Sequence, residues 1–501
     1  MKRRAFINVY DKSGLVDFAR NLVEKFNYEI VAAGDTYELL KNSEIDVINI
    51  KDFSNASCFL SDEFDVLNPA FIAGILSNSS DMKELNELEK IAIRPFDLVV
   101  INLYPMQKII DEGDDIDNIL TKLDIANLAI LRAAAKNYKQ VTVITDKVDY
   151  YVALNANDFG RQKLALKAFN YTSNYDRLIS SKLTEQTGEH LFKTFNLEKI
   201  KDLNYGENPH QRGAVYKTEK MIDYEILNNK ELTFNNILNV TEAVNLVSEF
   251  YDVNCVSIIR HTKPCGVALG RSLYEAYTKA FDCDPVSSFY GVVGFSKTVD
   301  AEVAKHLNSM AVEVIVAPDY DNEAIELFKD NPEIKLVKLN TPLKEYRKLT
   351  VEEIIMTPFG ALVQDRNNSE LSKEMFKVVT KEKPTKEQIE DAIFAWKVAK
   401  HAKTNSAVIA RDFKTTAIAQ GQTNTLSAVE SALNYACDTS KEAVLASDAV
   451  ITAEDCIFAA VQGRINLIIQ PGGSIKDAKI IETCDKYGIS MITTGIRNYR
   501  Q

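Results

Sequence analysis

A general base working near neutral pH is most simply a histidine. This sequence has five: His190, His210, His261, His306 and His401. His261 is the best placed, because it follows Arg260 and runs into the turn TKPCG, which can expose an imidazole to a substrate. By itself such a histidine reads more simply as structural. The first 189 residues contain none, so chemistry there must use Lys, Asp, Glu, Tyr or backbone groups. Histidine-held zinc and Ser-His or Cys-His nucleophiles are excluded from that stretch unless a later segment supplies the histidine. Three segments set small residues ahead of a helix: SGL at Ser13 to Leu15, GDT at Gly34 to Thr36, and QPGGSIKD around Ser474. Helix starts suit phosphate, but N-capping, or a capped tight turn at Ser474, is the simpler reading. Neither G-x-x-x-x-G-K-[ST] nor G-x-G-x-x-G occurs, which sets aside nucleoside triphosphate and dinucleotide fingerprints and a dehydrogenase with them.

The elements that must position these residues change character along the chain. The first third alternates strand and helix: AFINVYD, YEIVAAG, IDVINI, FDLVVINLYP and QVTVITD read as strands, with helical runs between them, the longest being DDIDNILTKLDIANLAILRAAAKN. Such alternation predicts a parallel sheet covered by helices, with ligands beyond the carboxyl ends of the strands, at YDKSG, AAGDT and NLYP. A helical stretch over 155–195 closes this unit, and a boundary is expected near residue 197. Beyond it the texture is turn-rich, and CVSIIRHTKPCGVA is echoed by TNSAVIARDFKTTAIA, as two similar subdomains around a cleft would produce. Residues 366–390 are charged and read as a surface connector or a solvated helix pair.

Composition bounds the rest. In 501 residues, 46% are hydrophobic and 26% charged, which suits two or three soluble domains. A net charge of −12 argues against a general nucleic-acid surface but leaves room for a local phosphate pocket. No apolar stretch is long enough to cross a bilayer. The seven scattered cysteines form no metal or disulfide pattern. A cytoplasmic protein without membrane or nucleic-acid partners is expected.

Taken together and in order, NLYP, LRAAAKN, YGENPHQ, NNKELTFNNIL, RHTKPCGVALG, DPVSSFYG, VLASDA, IIQPGGSIKD and TTGIR span nearly the whole chain. The series resembles the bifunctional purine-biosynthesis family that joins aminoimidazole carboxamide ribonucleotide (AICAR) formyltransferase to inosine monophosphate (IMP) cyclohydrolase. The resemblance implies an α/β fold: a methylglyoxal-synthase-like parallel-sheet domain over 1–196 and a formyltransferase-like domain over 197–501. The latter would be two zinc-free, cytidine-deaminase-like subdomains, about 197–355 and 356–501. It implies 10-formyltetrahydrofolate as co-substrate, no required metal, AICAR, formyl-AICAR and IMP as ligands, and a homodimer. By resemblance His261 is the base that takes a proton from the AICAR amine, with Arg260 and Asn405 beside it. Tyr205, Asn208, Asn236, Ser288, Phe289 and Arg497 fall at substrate-binding positions. In the first domain Lys136, Asp124 and Tyr104 match proton-transfer and orienting positions, and Lys12, Gly34, Thr36 and Asn102 substrate-binding ones.

The departures are specific. Arg260 replaces the family's lysine, and a guanidinium does not release a proton at neutral pH. Asn204 replaces a phosphate-binding arginine, and Glu454 lies in VITAED, where the family has an aromatic and arginine segment. Glu63 and Asp65 stand where Arg and Lys meet the phosphate, Ala126 and Asn127 replace paired glycines, and Asp35 is added in AAGDT. These changes predict weak or absent ring closure. The alternative function is a catalytically degenerate paralogue that serves as a binding or regulatory dimer subunit.

Overall fold

A computed structural model describes residues 2–53, 66–188, 193–195, 197–218, 220–228, 230–372 and 375–501. The chain divides into two compact units, Met1–Asn196 and Leu197–Gln501. Among the described residues no helix is long and apolar enough to cross a membrane.

The first unit is built on a five-stranded, all-parallel sheet of β1 (Arg3–Val9), β2 (Tyr28–Ala32), β3 (Val47–Asn49), β4 (Leu98–Asn102) and β5 (Thr142–Ile144), in the order β3-β2-β1-β4-β5. Successive β1 side chains feed opposite faces, Phe6 packing in one core and Ala5 and Ile7 in the other. The strand is therefore apolar over Ala5–Ile7, as strands covered on both sides are, while Arg4 before them pairs with Glu29. Helices α1 (Leu15–Glu24) and α2 (Gly34–Asn42) follow β1 and β2. The helical run expected over 114–137 is broken into Ile116–Thr121 and α3 (Ile125–Lys136), with a separate short helix, Met106–Asp111, before it. Asp115 and Asp124 cap the two pieces, their carboxylates accepting the N–H of Asn118 and of Asn127.

The second unit opens with a ribbon of β6 (Glu198–Leu203) and β7 (Gly213–Lys217). Its main sheet contains β8 (Tyr224–Ile226), and then the same motif twice. The first copy runs α4 (Phe234–Ser248), β9 (Cys255–Arg260), β10 (Lys263–Leu269), α5 (Leu273–Phe281), β11 (Gly291–Phe295), β12 (Val312–Ala317) and β13 (Lys335–Leu339). Two strands, β14 (Glu352–Thr357) and β15 (Gly360–Asp365), then form a separate hairpin, and β16 (Lys377–Val378) precedes the second copy. That copy runs α6 (Lys386–His401), β17 (Ala407–Arg411), β18 (Lys414–Ala419), α7 (Thr425–Ala436), β19 (Val444–Ser447), β20 (Leu467–Gln470) and β21 (Ser490–Thr493). All but the two hairpins join one twelve-stranded sheet, β16-β21-β20-β19-β17-β18-β10-β9-β11-β12-β13-β8. The seam between copies is β10 against β18, where Ala268 faces Lys414 and the buried Thr415 hydroxyl accepts from Val267 N at 3.0 Å and donates to its O at 3.1 Å.

The sequence echo is thus a structural duplication, and it extends into the helices. Thr233 and Thr385 each close a capping box, with Asn236 and Gln388. The sequence division at 355/356 differs from the structure, because it falls inside β14, a strand of the separate hairpin. The charged 366–390 stretch is no helix pair: it holds β16 and the start of α6.

Where α4, α6 and the short helix Leu343–Lys348 meet, Glu249 receives Lys400 at 3.0 Å, His401 at 3.1 Å and Arg347 at 3.2 Å, all buried. Burial pushes the Glu249 carboxyl up, but the His401 hydrogen bond and the Lys400 and Arg347 charges outweigh it and hold it well below its usual value. Burial also pushes the His401 imidazole down, against the pull of Glu249. Both groups bind protons more readily once unfolded, so both favour the fold above their ordinary pKa values and cease to as pH falls. Acid destabilisation of this unit should begin below about pH 6.5, the unperturbed histidine value, and steepen below about 4.5. Glu249→Ala should cost about 3–5 kcal/mol, because it strands buried cations. Thermal melts of both proteins against pH read both effects.

Candidate functional site

The first unit gathers its candidates at the carboxyl edge of the sheet. Order reverses between β1 and β4, and the turn after β1 carries Lys12 there. Asn102, at the end of β4, holds that turn: its Oδ1 accepts from Asp11 N at 2.8 Å and its Nδ2 donates to Asp11 O at 3.3 Å. Asn102 therefore acts on the turn's backbone. Hydrogen bonds from the Ser13 side chain and backbone, aided by Lys147, bring the Asp11 carboxyl down to about 2. Ser13 is occupied in this way and caps nothing: α1 begins at Gly14, φ +71, and α2 follows Ala33, neither helix having a side-chain cap. The capping reading fails at both starts. Gly34 opens α2 at φ +50, a backbone geometry that disfavours any side chain.

Further candidates at this edge are held by contacts within the unit. Thr36 is buried, its hydroxyl accepting from Val9 N at 3.1 Å and donating to Val9 O at 3.2 Å, so it fastens α2 to β1. Asp124 caps α3, with one oxygen taking Asn127 N at 2.8 Å and the other Asn127 Nδ2 at 2.6 Å. Asn127 also receives Asn8 Nδ2 at 3.2 Å, and Ala126 is buried beside it. Lys136 ends the same helix twelve residues on, roughly 17 Å away along the axis. Lys136 and Asp124 therefore stand at opposite ends of one helix. Tyr104 instead keeps company with two residues that sequence reasoning missed: its ring centroid is 4.6 Å from that of Tyr10 and 5.7 Å from the Lys122 ammonium. Glu63 and Asp65 lie outside the described residues.

In the second unit the strongest candidate sits on the β9–β10 turn. Arg260 and Lys263 face each other across it, and the two central residues, His261 and Thr262, have φ +51 and +62. Positive φ at both is the type I′ hairpin geometry, costly for residues with a Cβ and kept only where neighbours enforce it. Asn239 of α4 enforces it, accepting Thr262 N at 2.6 Å. The second copy repeats the device: Asp412 and Phe413 have φ +53 and +55, and Asp391 of α6 accepts both N–H groups, at 2.9 and 2.8 Å. Asn239 and Asp391 each lie six residues beyond their capping threonine.

His261 opens into a cleft of about 760 Å³ that Arg260, Lys263, Cys265, Asp284, Phe289 and Tyr435 help to line. Arg260 Nε donates toward His261 Nε2 at 3.4 Å, which sets the guanidinium against the imidazole. Burial and nearby Asp284 push the Cys265 thiol up to about 12, and burial does the same to Cys283, so neither is a thiolate nucleophile. Gln420 ties a second turn to this hairpin by donating to Pro264 O at 2.9 Å. On that turn Asn405 gives its backbone N–H and its Nδ2 to Gln422 O, both at 3.0 Å, which leaves its side-chain oxygen to accept. His261, Arg260, Lys263 and the Asn405 turn are thus brought together. Sequence reasoning gave no role to Lys263, although it lies within RHTKPCG, nor to Gln420, which lies in no motif.

The other positions are more dispersed. Tyr205 and Asn208 lie in the β6–β7 loop, with Asn204 exposed beside them; Asn208 N and Nδ2 both bond Gln211 Oε1. Asn235 joins this loop to α4 through Glu207 O at 3.2 Å. Asn236 is a buried capping-box residue whose Nδ2 has no partner. Ser288 gives its hydroxyl to Asp284 O at 2.7 Å, and Phe289 is exposed at the cleft. The Arg497 guanidinium lies over the Tyr499 ring, while Arg500 bonds His401 O at 3.1 Å and pairs with Glu242. Glu454 is turned to a neighbouring helix, accepting Thr483 Oγ1 at 2.8 Å. In QPGGSIKD, Asp477 takes Gly473 N at 2.7 Å and Ser474 takes Lys476 N at 3.1 Å, so the turn is filled by its own side chains. Among the described residues no group of three or more His, Cys, Asp or Glu side chains could hold a metal.

Comparison with known proteins agrees across the whole length. The family model described as the AICARFT/IMPCHase bienzyme matches residues 134–435, and an MGS-like domain matches 14–129. Proteins called bifunctional purine biosynthesis protein PurH are 39% identical over 515 residues in Thermoanaerobacter sp. (strain X514), over 518 in Caldicellulosiruptor saccharolyticus and over 526 in Persephonella marina. In each case all of both chains is covered.

Proposed function

The chain belongs to the AICARFT/IMPCHase bienzyme family, and from that premise we propose that it transfers a formyl group from 10-formyltetrahydrofolate to AICAR and closes formyl-AICAR to IMP, the second step being the slower. Formyl transfer is assigned to 197–501 and ring closure to 1–196. The AICAR amine is a weak nucleophile because its lone pair is shared with the ring and carboxamide. A base must take its proton as the nitrogen attacks the formyl carbon. The observation that carries this reading is His261: an imidazole on an enforced turn, opening into a cleft that Arg260 and Lys263 also line. Ring closure needs the carboxamide nitrogen folded onto the formyl carbon and water expelled. The uncapped helix starts at the β1–β4 crevice, with Lys12 and Tyr104 nearby, favour binding there. No observation favours the degenerate-subunit alternative. The test is incubation of the protein with AICAR and 10-formyltetrahydrofolate. Release of tetrahydrofolate with formyl-AICAR accumulating ahead of IMP is expected; absence of both products and of AICAR binding overturns the proposal.

A homodimer is part of the same reading. The β14–β15 hairpin is a two-stranded ribbon exposed on both faces, with Met356 79%, Phe359 101% and Leu362 60% accessible. Such a ribbon is marginal alone, and an apolar one needs a cover. The double substitution Met356→Asp and Phe359→Asp should move the protein from dimer to monomer mass in analytical ultracentrifugation.

A further inference from the structure

We propose that Lys263 delivers the proton to the folate nitrogen that leaves during formyl transfer, an inference that rests on the formyl-transfer reading above. As the amine nitrogen bonds to the formyl carbon and that carbon parts from the folate nitrogen, the amine proton passes to His261. A proton from the Lys263 ammonium passes to the departing nitrogen. His261 ends protonated and Lys263 neutral, and exchange with water restores both.

Few groups in the cleft can do this. The Arg260 guanidinium does not give up a proton near neutral pH. Cys265 directs its thiol at the carbonyl oxygens of Lys263 and Ser287, and Asp284 offers acceptor oxygens, one already taking Ser287 N at 2.9 Å. Lys263 and the Tyr435 phenol remain among the lining residues.

The duplication discriminates further. In the second copy Arg411 and Lys414 face each other across the equivalent turn, and each has an acidic partner: Arg411 meets Glu442 at 3.3 Å and Lys414 meets Asp282 at 3.9 Å. In the first copy neither Arg260 nor Lys263 has an acidic partner among the described residues. The cation pair is neutralised where the turn faces no cleft residue of this set and left uncompensated where it does. Lys263 is also well aimed. A Cβ placed on Gly421 would lie 3.9 Å from its ammonium nitrogen, so the charge rests against the turn that holds Asn405. Gly421, at φ +68, leaves that space open.

The test uses the full chain with Lys263→Gln, Lys263→Arg and Lys263→Gln combined with Arg260→Lys. Lys263 is exposed, so all three should fold and melt as the parent does. Lys263→Gln should lower kcat for formyl transfer by roughly 10²–10³-fold, within the range for acid–base groups, with little change in the KM for AICAR. The alkaline limb of the kcat–pH profile should go with it. Lys263→Arg, which keeps charge without a transferable proton, should be equally slow, and the double variant should recover activity because a releasable proton returns across the turn. Parental kcat in Lys263→Gln or in Lys263→Arg would overturn the proposal, as would a loss that follows Tyr435→Phe instead. A parent protein without formyl transfer would overturn the function reading itself and remove this role with it.

Discussion

Replacing His261 with asparagine should lower kcat for formyl transfer by about 10²–10⁴-fold while leaving AICAR affinity nearly unchanged. Asparagine is the informative choice because it tolerates the left-handed backbone that His261 adopts at φ +51. Alanine there would add a strained turn to the lost base and mix two effects. The imidazole is placed by elements remote from it in sequence: Asn239 fixes the turn, and Gln420 ties the Asn405 turn to the next residues of β10. A loss of this size with unchanged binding would mean a contribution to the transition state and not to the ground state. Steady-state rates beside calorimetric titration with AICAR decide it, and an asparagine variant retaining more than about a tenth of parental kcat would remove His261 as the base.

The second large effect concerns ring closure. Converting Glu63 to Arg together with Asp65 to Lys should strengthen binding of formyl-AICAR by roughly two to three orders of magnitude. By the family resemblance these two positions meet the substrate phosphate, and the double change swings four charges there, each contact being worth on the order of 1 kcal/mol at 4 Å even in water. The readout is the KM for IMP formation from formyl-AICAR, which should fall as salt dependence rises. Unchanged KM in the double variant would show that this segment does not meet the phosphate. A smaller obstacle is visible at α3, where Asn127 occupies both Asp124 oxygens. A glycine there would leave one of them to the substrate.

Residue types were more legible in the sequence than residue employment. The strand–helix alternation led to the parallel sheet because the apolar centre of β1, Ala5 to Ile7, has few other ways to be buried. The echo between CVSIIRHTKPCGVA and TNSAVIARDFKTTAIA became two hairpins with the same turn. Thr36, Asn102 and Asp124 stand at the ligand edge, yet their hydrogen bonds go to the scaffold, which no string of letters reveals. Lys136 shows a simpler limit: nearness in a motif becomes distance along a helix. Lys263 escaped notice because a lysine in a turn ordinarily faces water. Its significance needed Arg260 across the ladder and Lys414 as a paired counterpart. Asp124 broke one helical run into two because a carboxylate that can bond the next turn's N–H offers the backbone a place to start afresh.

The seam at Thr415 bears on how residues 197–501 come apart. One buried hydroxyl bonds both the N–H and the C=O of Val267, and a single apolar core, with Trp396 and Val398 of α6, packs strands from both copies. Neither half can open without stripping hydrogen bonds and apolar cover from the other. The two copies should therefore open as one cooperative foldon, with the slowest-exchanging amides expected in β10 and β18. The turn that carries His261 is the outer end of β10, so hydrogen exchange should find the reacting group carried by the part of this unit least able to breathe.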